Sequence, residues 1–93
     1  MPFRLNLSKR LKHRGWKVKI QDKERLEPPH VTVWHGEDMW RICLRTGVFL
    51  VPPGGSWNDL DAEVKQTIEN EWNALCGAWD SRYPENPVTS LEE

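Results

Sequence analysis

Apolar and cationic residues alternate along Trp16-Lys17-Val18-Lys19-Ile20. That two-residue period predicts a half-buried strand with Trp16, Val18 and Ile20 inward and Lys17 and Lys19 outward. Ahead of it, Leu7 and Leu11 lie one helical turn apart, with Asn6 or Ser8 placed to cap and Gly15 to stop, which predicts a short helix through about Arg14. Pro28-Pro29 forces extended backbone into a β-prone run, Val31 to His35, and Gly36-Glu37-Asp38 supplies turn chemistry. The returning run, Met39 to Arg45, sets Trp40, Ile42 and Leu44 on one side and Arg41, Cys43 and Arg45 on the other. Thr46-Gly47 turns into Val48 to Val51, and Pro52-Pro53-Gly54-Gly55 ends the sheet. Leu60, Val64, Ile68, Trp72, Leu75 and Trp79 then recur at spacings of three and four, the stripe of a long helix that Ser56, Asn58 or Asp59 can cap.

The order predicts an α+β fold: a short N-terminal helix, an antiparallel three- to four-stranded meander, and a long C-terminal helix packed on one face of the sheet. Residues 1–83 are expected to form a single domain and 84–93 a disordered tail with almost nothing to bury. Trp16 to Ile20 is a candidate exposed edge, able to pair with a partner strand or a second copy.

Composition adds two points. Six tryptophans in 93 residues compensate for few aliphatic side chains, and most are expected in the core. Charge is sharply divided: Met1 to Leu50 holds eleven Lys/Arg against five Asp/Glu, and Val51 to Glu93 holds two against nine. Such polarity suits a basic face that meets phosphates, or two halves that attract each other on folding. No secretory leader pattern and no run of about 18 apolar residues appears, so a soluble cytoplasmic protein with no membrane association is expected. Cys43 and Cys76 have no paired spacing and read as free thiols.

His30 is the first candidate for chemistry, because an imidazole titrates near neutrality and can serve as acid or base in phosphodiester cleavage. Arg41 and Arg45, together by strand parity, make a candidate phosphate clamp, with Lys17 and Lys19 as positioning charges. The alternative for His30 is a structural cap that hydrogen-bonds the backbone around Pro28-Pro29. His35 reads as a solvated turn residue and His13 as part of the basic helix. Lys9, Arg10, Lys12, Arg14, Lys17 and Lys19 form the candidate nucleic-acid surface. The aromatic interleaved among them, Trp16, points inward by parity, which weakens base stacking there. No metal is expected, since the His, Cys and acidic residues lack zinc-site spacings. No cofactor is expected either: Pro53-Gly54-Gly55-Ser56 lacks the lysine of a phosphate-binding loop, and no nucleophile elbow occurs.

Glu27-Pro28-Pro29-His30 followed by Val31-Thr32-Val33 resembles a small prokaryotic domain family of unknown function. That family carries a Pro-Pro-His-x-His-Val strand, a Tyr-Gly-Glu-like turn, a strand ending in Thr-Gly, and a helix with an internal Glu-Trp. The matching positions are His35-Gly36-Glu37, Thr46-Gly47 and Glu71-Trp72, and the resemblance spans roughly residues 15–82. The family's second histidine falls on Thr32, and His35, five residues from His30, points to the opposite face. Members look like one half of toxin–antitoxin gene pairs, which implies a small antitoxin-like protein as partner. A fold-level similarity links the helix–strands–helix order, Gly15-Trp16 and His30 to messenger-RNA-cleaving toxins with a double-stranded-RNA-binding-like fold. The expectation is therefore a toxin-like component of a prokaryotic two-gene module. It would bind a small antitoxin protein and either bind or cleave RNA, the cleaving form being a metal-independent endoribonuclease with His30, Arg41 and Arg45 catalytic. The alternative is a non-enzymatic protein- or nucleic-acid-binding module; the oligomeric state stays open.

Overall fold

A computed structural model describes residues 3–20, 28–85 and 88. Its centre is an antiparallel meander of five strands in sequential order: β1 (Phe3–Arg4), β2 (Trp16–Ile20), β3 (His30–His35), β4 (Asp38–Cys43) and β5 (Phe49–Val51). A five-residue helix, α1 (Lys9–His13), joins β1 to β2; Ser8 caps it by accepting from the Leu11 amide, and Gly15 at φ +90° turns the chain into β2. β2 alternates buried and wetter positions as its sequence predicts. It is not an edge, however. The two-residue strand β1, with no alternation long enough to announce it, pairs through Phe3↔Ile20 and Arg4↔Lys19, so the free edges of the described sheet are β1 and β5.

Register fixes the two faces. Val18, Val33 and Trp40 stand side by side, as do Val31 and Ile42, and these residues form one cluster with Leu11 and the C-terminal helices. Trp16 joins that inner face, stacked on Trp40 at 5.8 Å between ring centroids. A bulge between Arg41 and Ile42 lets β5 bring Phe49 opposite Ile42 and Val51 opposite Arg41.

The C-terminal stripe is helical but not one helix. A single 3₁₀ turn (Trp57–Asp59) is held by a capping box between Ser56 and Asp59, so Ser56 caps that turn. Helix α2 (Ala62–Asn70) is capped instead by Asp61, and α3 (Trp72–Arg82) follows after an interruption at Glu71. Hydrogen bonds still run from the Glu71 amide to the Thr67 carbonyl and from the Leu75 amide to the Glu71 carbonyl, so the break is a local distortion. Two features account for it. The Thr67 hydroxyl donates to the Glu63 carbonyl at 2.8 Å, a back-bond that bends helices. Three successive four-residue steps from Leu60 also carry the stripe progressively round the helix, and the buried set is Val64, Ile68, Leu75 and Trp79, with Trp72 only half-buried.

The chain beyond α3 contributes to the core where it is described. Tyr83 is buried with its ring 4.3 Å from that of Trp79, and Val88 is buried in the same cluster. The Val88 amide donates to Asp80 at 2.6 Å and its carbonyl accepts from Arg45 Nε at 3.0 Å. Val88 thus departs from the expectation of a tail with nothing to bury. Residues 86, 87 and 89–93 lie outside the described residues, as do residues 21–27.

Candidate nucleic-acid interface

Cross-strand register brings together side chains that are far apart in sequence. On the sheet face opposite Val18, Val33 and Trp40, one row reads Lys17, Trp34, Met39 across β2, β3 and β4, and the next reads Lys19, Thr32, Arg41. Lys17 is exposed, and Lys19, Trp34, Met39 and Arg41 are half-buried. The Lys19 ammonium lies 5.7 Å from the centroid of the Trp34 ring, a cation–π pair at a wet surface. Thr32 forms the floor between Lys19 and Arg41; it is fully buried, and its hydroxyl has no hydrogen-bond partner among the described residues.

His30 has been taken up into the fold. It presents no accessible surface, its Nδ1 donates to the Pro28 carbonyl at 2.8 Å, and its ring lies 5.4 Å from that of Trp79. Since a carbonyl oxygen only accepts, this bond fixes the proton of the neutral ring on Nδ1. The arrangement is a side-chain cap on the Pro28-Pro29 segment, whose Pro29 carbonyl also extends the β3–β4 ladder by accepting from Leu44. A general base must come within hydrogen-bond reach of the proton it removes, and His30 is sealed from solvent.

The proposed arginine clamp is divided. β4 ends at Cys43, so the alternation that would carry Arg45 to the side of Arg41 stops with it. Arg41 stays on the outer face, whereas Arg45 lies in the following turn with its guanidinium on the Val88 carbonyl. His35 is not a solvated turn residue: its ring stacks on Trp16 at 4.1 Å and 4°. His13 is exposed at the end of α1.

Of the six cations expected to face a nucleic acid, Lys9, Arg10, Lys12, Arg14 and Lys17 are exposed and Lys19 is half-buried. Arg10 is engaged within the protein, reaching Glu63 with Nε at 2.9 Å and Nη2 at 2.6 Å, and Asp61 at 3.4 Å. Part of the sequence's charge division is thus spent inside the fold, docking α1 on the acidic first turn of α2. Lys12 donates to Asn6 at 3.0 Å and, with Lys17, lines a surface pocket of about 310 Å³ floored by Leu5, Leu7 and Trp16.

The Ser8 hydroxyl and then the Arg10 guanidinium hold the Glu63 carboxyl below its ordinary range. A carboxyl depressed in the folded state adds stability that is complete above its unfolded pKa and disappears as pH falls through the folded value. Ser8→Ala is expected to lose about 1 kcal/mol of stability at neutral pH through the missing helix cap. It should also raise the Glu63 pKa, so that the protein gains less stability as pH rises from about 3 to 6. Urea melts across that range, with the Glu63 carboxyl followed by NMR, measure both; an unmoved Glu63 titration would contradict the assignment.

Cys43 is buried and Cys76 half-buried, both as free thiols, and burial followed by the nearby Asp80 pushes the Cys76 thiol up. Among the described residues no group of three or more His, Cys, Asp or Glu side chains is placed to hold a metal ion, and no helix is long and apolar enough to cross a membrane.

Sequence reasoning missed Trp34, because its position beside Lys17 depends on how β2 and β3 pair in register. The available signal was parity: Trp34 shares the side of Thr32, opposite Val31 and Val33. No family model, curated protein or solved structure matches this chain, so the family resemblance rests on the residues quoted for it.

Proposed function

We propose that this chain is a nucleic-acid-binding module, with RNA its expected ligand, that holds the ligand without cutting it. One contrast carries the reading. Lys9, Lys12, Arg14 and Lys17 stay exposed on and after α1, with Lys19 half-buried beside them, while His30, the histidine best suited by sequence to acid–base chemistry, is capped and buried. Phosphate neutralisation by lysine and arginine releases counterions and makes affinity fall with salt. Binding of a labelled single-stranded RNA to the full chain should weaken steeply with added salt. Three or four phosphate contacts would give a log–log slope of about −2 to −3. Binding that ignores salt, or no binding at low ionic strength, would overturn the proposal.

A second reading is favoured by a different observation. Val48, just before the free edge strand β5, and Leu50, within it, are exposed at 59% and 38%. An apolar edge of this kind accepts a strand from a protein partner, which is how a small antitoxin-like protein would be accommodated if the chain is the toxin-like half of a two-gene module. In that case expression of the chain alone should arrest growth, and a neighbouring small reading frame should relieve the arrest. RNA fragments that vanish with His30→Ala would support the catalytic form of this reading.

A further inference from the structure

We propose that the outer sheet face is a platform for single-stranded nucleic acid, on which a base stacks against Trp34 while Lys17 and Lys19 meet the flanking phosphates. This rests on the nucleic-acid reading above and adds the strandedness of the ligand and the residue that selects it. The aromatic ring has one cation opposite it in register, Lys17, and another, Lys19, with its ammonium 5.7 Å from the ring centroid. Lys17 and Lys19 are two residues apart on β2 and share the side of the sheet that carries Trp34.

Chemistry selects the single strand. Every base has a π-face, so an aromatic side chain on a cationic surface binds bases with little regard to sequence, provided they are unstacked. Bases in a duplex are already stacked on one another. A sheet face also lacks the protruding helix or ribbon that enters a duplex groove. The half-buried state of Trp34 fits this use, since it leaves part of the residue accessible. Trp16, the aromatic nearest the cations in sequence, is instead engaged by His35 and Trp40 on the inner face.

The test is fluorescence anisotropy with a 5′-labelled twelve-nucleotide RNA of mixed sequence, single-stranded or annealed to its complement, at low salt. The wild-type chain should bind the single strand more tightly than the duplex. Trp34→Ala should weaken single-strand binding roughly 5- to 150-fold, the equivalent of one stacked base, and Trp34→Phe should restore most of it. Loss from Lys9→Ala with Arg14→Ala, and none from Trp34→Ala, would overturn the platform and leave the nucleic-acid reading standing with α1 as its surface. No binding to either probe by the wild-type chain would overturn both. If Trp34→Ala loses its fold by circular dichroism, Lys17→Glu at an exposed position decides: lost single-strand binding supports the platform, and unchanged binding overturns it.

Discussion

Trp79→Ala is expected to cost about 3–5 kcal/mol, the largest stability loss of any single truncation considered for this chain. Trp79 has no accessible surface and sits where three parts of the molecule meet: α3, the buried start of β3 through His30 at 5.4 Å, and the chain after α3 through Tyr83 at 4.3 Å. Alanine would leave a void that this small core cannot close, because its neighbours are held by a strand and a helix. A domain of this length has a total stability of about 5–14 kcal/mol, so the variant should unfold at markedly lower urea. Trp72→Ala is the control: Trp72 is half-buried, tilted against Trp57 at 6.2 Å, and should lose clearly less. Equal losses from both substitutions would contradict the description of the core.

His30→Ala is expected to destabilise the protein by about 2–3 kcal/mol, from a lost hydrogen bond, an unpaired carbonyl and a cavity beside Trp79. Affinity for RNA should be unchanged once the variant is compared under conditions where it is folded. The separation matters, because a catalytic or ligand-contacting His30 predicts the reverse: stability kept and activity lost. Urea melts read alongside the anisotropy assay distinguish the two, and unaltered stability would refute the structural role.

What was legible in the sequence was local. β2 announces itself through side-chain period, the β3–β4 hairpin through Gly36 between two β-prone runs, and α1 through Ser8 and Gly15. What stayed hidden depends on residues distant in sequence. Burial of His30 depends on Trp79; the pairing of Trp34 with Lys17 depends on register; the withdrawal of Arg10 depends on Asp61 and Glu63. The helix break at Glu71 lies between these cases, since the drift of the four-residue steps is visible in sequence while the Thr67 back-bond is not. His35 shows the same limit: a histidine next to a turn reads as solvated until the strand opposite supplies Trp16.

The most direct test of the central claim puts binding and cleavage in one tube. Wild-type chain is mixed with a slight deficit of end-labelled single-stranded RNA at low salt with a chelator present. Anisotropy records binding, and a denaturing gel of the same sample records the length of the RNA over several hours. The account predicts RNA that is bound and remains full length, with the same result for His30→Ala under folding conditions. Fragments that accumulate with the wild type and are absent with the folded His30→Ala variant would contradict it.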